Sequence, residues 1–240
     1  MDTNPAARLM EERIAQVRLR MAEAAKAAGR DPAEVLLCAV SKTQTSDTVL
    51  LSAGMNVDCF GENHMQELVA HHSDGAYQGK PAHFIGHLQT NKVKKVVGIA
   101  SLIQSVDSLR LIDAIEKEAG KQELRQDILL ELNLAGEESK TGAGLEELWP
   151  MAEHALSLPH IRLHGLMGIP PAGSTSDENR RYFASLRGLF EKLCEEYPNE
   201  KFDILSMGMS ASFEEAILEG ATVVRVGTAI YGPRDYGNKA

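Results

Sequence analysis

Apolar residues recur along this chain in two alternating rhythms. Between Pro5 and Ala28, Met10, Ile14, Val17, Met21 and Ala24 fall at spacings of four and three, which marks one apolar helix face. Gly29 supplies a C-cap, and Asp31-Pro32 bars continuation. The run Val35–Val40 that follows has the length and composition of a buried strand. Similar runs recur at Val57–Phe60, Ala82–Ile85, Ser101–Gln104, Ile128–Asn133, Ile161–Leu166, Phe202–Ser206 and Thr222–Val226. Helical patterns separate them at Ser46–Ala53, Asn63–His72, Thr90–Val97, Leu109–Gly120, Leu145–Ser157, Asp177–Tyr197 and Ser212–Gly220.

Strands alternating with helices imply parallel βαβ units, and strands apolar on both faces imply a sheet covered on both sides. Eight such units predict a closed (β/α)8 TIM barrel with an extra N-terminal helix over residues 1–29, an open doubly wound sheet being the alternative. No repeat, low-complexity tract or linker interrupts residues 1–240, so one domain is expected. Ser73–Pro81 and Pro170–Ser176 read as loops.

Composition narrows the function classes. The 240 residues are 43% hydrophobic and 25% charged, ordinary for a globular chain. Acidic residues outnumber basic ones 34 to 25, a net charge of −9, which argues against nucleic-acid binding. No apolar run reaches the length of a membrane span, and the N-terminus lacks a signal-peptide core. A cytoplasmic location is expected. Cys38, Cys59 and Cys194 are too few and too scattered for a disulfide scaffold or a zinc knuckle.

In a parallel barrel the chemistry lies on the loops after the strands. Ser41-Lys42-Thr43 follows the first strand and puts a lysine at that face. Such a lysine suits a base or a carbonyl nucleophile, and equally a surface lysine at a strand end. The seventh strand runs into Ser206-Met207-Gly208-Met209-Ser210 and the eighth into Gly227-Thr228. Glycine and hydroxyls on these two loops are what barrel phosphate sites use. N-capping is the plainer role: Ser212 with Glu215 matches a capping box, and Ser210 is a candidate cap. Arg225 sits among Val223, Val224 and Val226 and needs a partner, either a carboxylate or a ligand group in the barrel mouth. A phosphate, a carbonyl for Lys42 and a ring nitrogen for Arg225 together describe pyridoxal 5′-phosphate.

Several segments then carry a resemblance: Ala39-Val40-Ser41-Lys42-Thr43, Phe60-Gly61-Glu62-Asn63, His83 to Lys92, Glu137 to Gly142, Gly165 to Pro170, Ser206 to Ser210 and Val224 to Gly232. In this order, across residues 35–236, they resemble the pyridoxal phosphate homeostasis protein family. The resemblance implies a fold like the barrel domain of alanine racemase, the third fold type of pyridoxal phosphate proteins. It implies a Schiff base on Lys42, phosphate contacts from Ser210, Gly227 and Thr228, Arg225 at the pyridine nitrogen, and Asn63 at the barrel mouth. It further implies a carrier or buffer in vitamin B6 homeostasis, with pyridoxal phosphate-dependent apo-enzymes as recipients and a monomer or weak dimer as its state. His64-Met65 and Ala82 depart from the family pattern at the pocket rim.

Other signals are weaker. His83 and His87 are four apart without the glutamate of a zinc helix, so no metal site is predicted. Lys92, Lys94 and Lys95 read as a solvated helix face, Cys38 as a small core residue. Glu137, Glu138 and Lys140 crowd the loop after strand five as solvating charges, guards of the cofactor mouth or an effector site. No Walker A or dinucleotide fingerprint is present. The competing reading is an amino-acid racemase, which needs a second base opposite Lys42. Only 14 residues follow strand eight, and they carry Tyr231 and Tyr236 but are too few for a second domain, so a carrier is the expectation. A barrel for some other phosphorylated metabolite is the third reading.

Overall fold

The computed structural model describes residues 5–134 and 141–233, and its strands close on themselves in the order β1 to β8. They are β1 (Leu36–Val40), β2 (Cys59–Glu62), β3 (Ala82–Phe84), β4 (Leu102–Val106), β5 (Gln126–Leu132), β6 (Ile161–Gly168), β7 (Ile204–Met209) and β8 (Val223–Val226). Every neighbouring pair is parallel. Closure comes from β1 against β8, Leu36 opposite Val223 through Ala39 opposite Val226. An open sheet would leave those two edges unpaired, so the barrel is the architecture.

The strands alternate between two apolar regions. Leu37, Ala39, Phe60, Ile103, Ile128, Leu130, Leu205, Val224 and Val226 join the large core between sheet and helices. Cys38, Cys59 and Val223 form one small cluster, and Leu102, Leu129 and Met167 another, with Ile204 packed against both. Those clusters fill the barrel interior, as the period-two alternation of a strand requires.

The helices are α1 (Pro5–Ala27), α2 (Ser46–Ala53), α3 (Met65–Ser73), α4 (Leu109–Lys121), α5 (Leu148–Ser157), α6 (Ser176–Glu196), α7 (Phe213–Leu218) and α8 (Thr228–Tyr231). The α1 stripe Met10, Ile14, Val17, Met21 and Ala24 is buried, and Gly29 at φ +70° ends the helix in the left-handed conformation. Thr45, Ser108 and Thr175 each accept a backbone N–H of the first turn of α2, α4 and α6, satisfying donors a helix start leaves unpaired. Among the described residues, no helix is long and apolar enough to cross a membrane.

Three local expectations change. Thr90–Val97 is a 3₁₀ segment over Thr90–Lys95 rather than an α-helix; it buries Val93 alone, and no side chain caps its start. Leu145–Ser157 splits into a 3₁₀ turn, Leu145–Glu147, and α5. Ser212 makes no capping box, because its hydroxyl instead accepts the Met209 N–H at 3.2 Å and holds the end of β7.

Candidate functional site

A cavity of about 270 Å³ opens at the C-terminal ends of the strands. Lys42, Asn63, Ser210, Arg225, Gly227 and Thr228 all line it, with Val40, Ile85, Ile169 and Met209 as apolar walls. Strand ends far apart in the chain thus deliver one lysine, one arginine, hydroxyls and an amide to a single space.

The lysine stands on a tight turn in which Gln44 N–H donates to Ser41 C=O at 3.0 Å. Thr43 occupies the left-handed region at φ +66°, costly for a β-branched residue by about 1 kcal/mol or more. The turn is held from below. Thr43 N–H donates to Glu67 Oε1 at 2.8 Å, and the Ser41 hydroxyl donates to Glu62 Oε1. Glu62 is fully buried at the end of β2 and also accepts from His71 Nδ1 at 2.8 Å and from the Tyr77 hydroxyl at 3.2 Å. The other His71 nitrogen, Nε2, donates to Gln44 C=O at 3.2 Å. With both ring nitrogens donating, His71 is an imidazolium, and its bond to Glu62 raises its pKa above the ordinary value against the opposing effect of burial. Burial beside Glu62 likewise raises the Tyr77 phenol. Both sides of the Lys42 turn are therefore anchored to one buried ion pair.

Across the cavity the construction is neutral. Ser210 Oγ accepts from Gly227 N–H at 3.2 Å and from Ala229 N–H at 3.3 Å, so the loop after β7 caps the short helix after β8. A side chain on Gly227 would press on Val40 C=O at 3.2 Å, which is why the first and last strands can meet there. Gly86 does the same for Asn63: a Cβ would overlap the Asn63 carbonyl oxygen.

Arg225 is buried and forms the floor. Its Nη1 donates to Ser206 Oγ at 2.6 Å and its Nη2 to Gly168 C=O at 3.0 Å. Burial lowers its pKa, but a guanidinium stays protonated. Glu131, the buried carboxylate on β5, accepts instead from Thr141 at 2.8 Å, and no carboxylate pairs with Arg225 among the described residues. Of the two partners expected for Arg225, the carboxylate is absent from its hydrogen bonds and the cavity remains. From Ser206 a relay crosses the barrel: its hydroxyl donates to Gln104 Oε1 at 2.6 Å, and Gln104 Nε2 donates to His83 Nδ1 at 2.8 Å. That direction puts the His83 proton on Nε2.

Sequence reasoning missed the buried layer beneath these residues. Glu62 stands inside the Phe60-Gly61-Glu62-Asn63 segment, yet its contact with His71 and Tyr77 depends on how α3 and the loop after it fold back. A histidine and a glutamate nine residues apart carry no recognisable spacing. Cys38 is a buried core residue, but Cys59 and His83 converge on it, a grouping absent from any motif. His64 and Met65, which depart from the family pattern, lie outside the main cavity, in a second depression of about 220 Å³ that Asn63, His87 and Lys92 also line. Lys94 and Lys95 are exposed, as a solvated face requires. Glu137, Glu138, Lys140 and Tyr236 lie outside the described residues.

Comparison with known proteins bears on this arrangement. The family model for the alanine racemase N-terminal domain matches residues 14–235. A pyridoxal phosphate homeostasis protein of Aquifex aeolicus is 41% identical over 225 residues, 94% of this chain and 98% of the relative. One from Pseudomonas aeruginosa is 42% identical over 231 residues, covering 95% and 97%. Among solved structures, PipY of Synechococcus elongatus with pyridoxal phosphate bound superposes with a TM-score of 0.82 at 30% identity, covering 93% of this chain and all of that one. An alanine racemase of Clostridium difficile has a TM-score of 0.66 at 16% identity, covering 92% of this chain and 60% of that one, a likeness of fold. The fold and the lysine after its first strand define a barrel of the alanine racemase N-terminal type. Within that class, the chain belongs to the pyridoxal phosphate homeostasis protein family.

Proposed function

We propose that this protein binds pyridoxal 5′-phosphate as a Schiff base on Lys42 and holds it in the cytoplasm as a carrier or buffer that contributes to cofactor homeostasis. The observation that carries the reading is the convergence of Lys42, Arg225 and the Ser210, Gly227 and Thr228 loops on one cavity. The relatives' names and the pyridoxal phosphate bound in PipY support the same ligand.

The residues present fit such a group. Arg225 is a buried cation with no carboxylate in its hydrogen bonds, and it faces the cavity from the floor. The Ser210 and Thr228 hydroxyls suit a phosphate at the rim, to which the Gly227 N–H would turn from its present acceptor, Ser210 Oγ. Bound there, the cofactor supplies an aldehyde for the lysine amine and a ring that can withdraw electrons. Arg225 tempers the second property, because a cation disfavours protonation of a neighbouring ring nitrogen.

The carrier reading rests on the wall opposite the lysine. Two-base racemisation needs a proton acceptor there. Tyr231 lines the cavity, but its hydroxyl is hydrogen-bonded to Ser52 Oγ at 3.0 Å, and burial raises its pKa further. No carboxylate or imidazole lines the cavity among the described residues. All three thiols are free, which suits a reducing compartment.

Purified protein should show the absorption band of a lysine-bound pyridoxal, and borohydride should fix the label on the Lys42 peptide. Lys42→Ala should lose both; unchanged cofactor content in that variant would sink the site assignment. Incubation with a pyridoxal phosphate-dependent apo-enzyme should transfer the cofactor to it. Rapid deuterium exchange at an amino-acid α-carbon, with turnover, would favour the racemase reading instead.

A further inference from the structure

The barrel interior holds a second group of donors beneath the cavity. Val40 at the end of β1 and Ile85 just after β3 line the cavity, and two residues earlier Cys38 and His83 lie one layer deeper on those strands. Cys59 is directly opposite Cys38 across the β1–β2 pair. The two sulfurs and a ring nitrogen of His83 all lie within 4.8 Å of one another, and Cys59 Sγ is 3.7 Å from His83 Nδ1. Gly61 keeps the space open, because a Cβ there would come within 2.9 Å of Cys38 Sγ.

We propose that Cys38, Cys59 and His83 form a binding site for one soft, monovalent d10 cation, for which copper(I) is the probe. Two thiolates and an imidazole are soft donors that favour copper(I) and zinc over hard cations. Donor number separates those two. Zinc takes four ligands, a water filling the fourth place where the protein supplies three, whereas these residues supply three donors and are buried away from solvent. Three donors about 2.0–2.3 Å from a central ion sit about 3.8 Å apart in a trigonal arrangement, close to the observed sulfur–nitrogen separation.

Charge gives the same answer. The thiol protons leave as the cation enters, so two thiolates and one monovalent ion carry one net negative charge. Arg225, in register with Cys38 on the other side of β1, offsets it. A divalent ion would leave the arginine uncompensated in a closed interior, where an unpaired charge is costly. Loading must also displace Gln104, whose amide N–H occupies the Nδ1 lone pair of His83. None of the three donors lines the cavity above, and Arg225 is the group that the two sites share.

The test is a titration of the full chain with copper(I), without oxygen and with a non-thiol reductant, in competition with a chromophoric chelator. One equivalent should bind per chain. Cys38→Ser and Cys59→Ser should each weaken binding by a hundredfold or more, while Cys194→Ser changes nothing. Gln104→Leu, which removes the competitor for Nδ1, should tighten it by about fivefold. Circular dichroism checks that each variant is folded. X-ray absorption on the loaded wild-type protein, which needs no variant, should show two sulfur neighbours and one nitrogen. No binding beyond that of the Cys38→Ser/Cys59→Ser double variant would overturn the proposal. So would tighter retention of zinc(II) than of copper(I), or an absorption spectrum without a nitrogen neighbour.

Discussion

The two sides of the cavity are built on different principles. On the β1–β3 side, a strained turn presenting a flexible lysine is fastened by side chains, with Glu62 and His71 as a buried ion pair and Glu67 on the Thr43 N–H. On the β7–β8 side, glycines and one serine hydroxyl organise the loops, and the hydrogen bonds that hold them are between neutral groups, Arg225 bonding lower down to Ser206 and Gly168. The contrast is physical. A lysine with four rotatable bonds is located only by fixing its backbone, and a left-handed threonine holds its conformation only when its surroundings over-determine it. An anion site works in the opposite way: its backbone N–H groups rest on a neutral hydroxyl, Ser210 Oγ, which holds them less strongly than a carboxylate would.

Substitutions can test that division. The largest effect is expected where the first side meets Asn63: Gly86→Ala drives a Cβ into backbone that cannot yield. We expect a loss of about 3 kcal/mol or more, or failure to fold, read by urea unfolding. Glu62→Leu leaves His71 buried without its counter-charge and should cost about 3–5 kcal/mol. The double variant Glu62→Leu/His71→Leu should recover part of that loss; strict additivity would show that the two do not act as a pair. On the other side, Ser210→Ala removes the acceptor of two N–H groups and should cost only about 1 kcal/mol. It should also weaken retention of pyridoxal phosphate on dialysis by about tenfold.

The mildest probe is pH. The folded-state pKa of His71 is raised, so its contribution to stability is fully present below the ordinary histidine value and is lost as pH rises through the folded value. His164, raised chiefly by Asp127, acts in the same direction on the far side of the barrel. His71→Gln should flatten the decline in stability above neutral pH but leave the His164 part. An unchanged profile in that variant would place the titration elsewhere.

Much of this was legible without coordinates, and unevenly so. The strand–helix alternation located all eight strands, because a sheet covered on both faces writes apolar runs that local pattern detects. The rule that barrel chemistry sits after the strands pointed to Lys42 and the loops at Ser210 and Gly227. A charge inside an apolar strand pointed to Arg225, and the family resemblance pointed to Asn63; all of them line the cavity. Boundaries were poorer where caps were weak, as at Thr90–Lys95, where a single buried valine does not sustain an α-helix. Ser212 was misread because its hydroxyl had two backbone suitors, and the packing of β7 on α7 chose Met209.

By itself, then, the sequence determined the periodicities, the strand count and the identity of the groups that reach the barrel mouth. These are properties of short windows and of strand ends. Tertiary structure alone decided which buried groups stand beneath them. Glu62 meets His71 and Tyr77, Arg225 reaches His83 through Ser206 and Gln104, and Cys38 faces Cys59, all through contacts between different segments. Barrel closure sets those neighbours by strand register, and register is a relation between strands that no single segment contains.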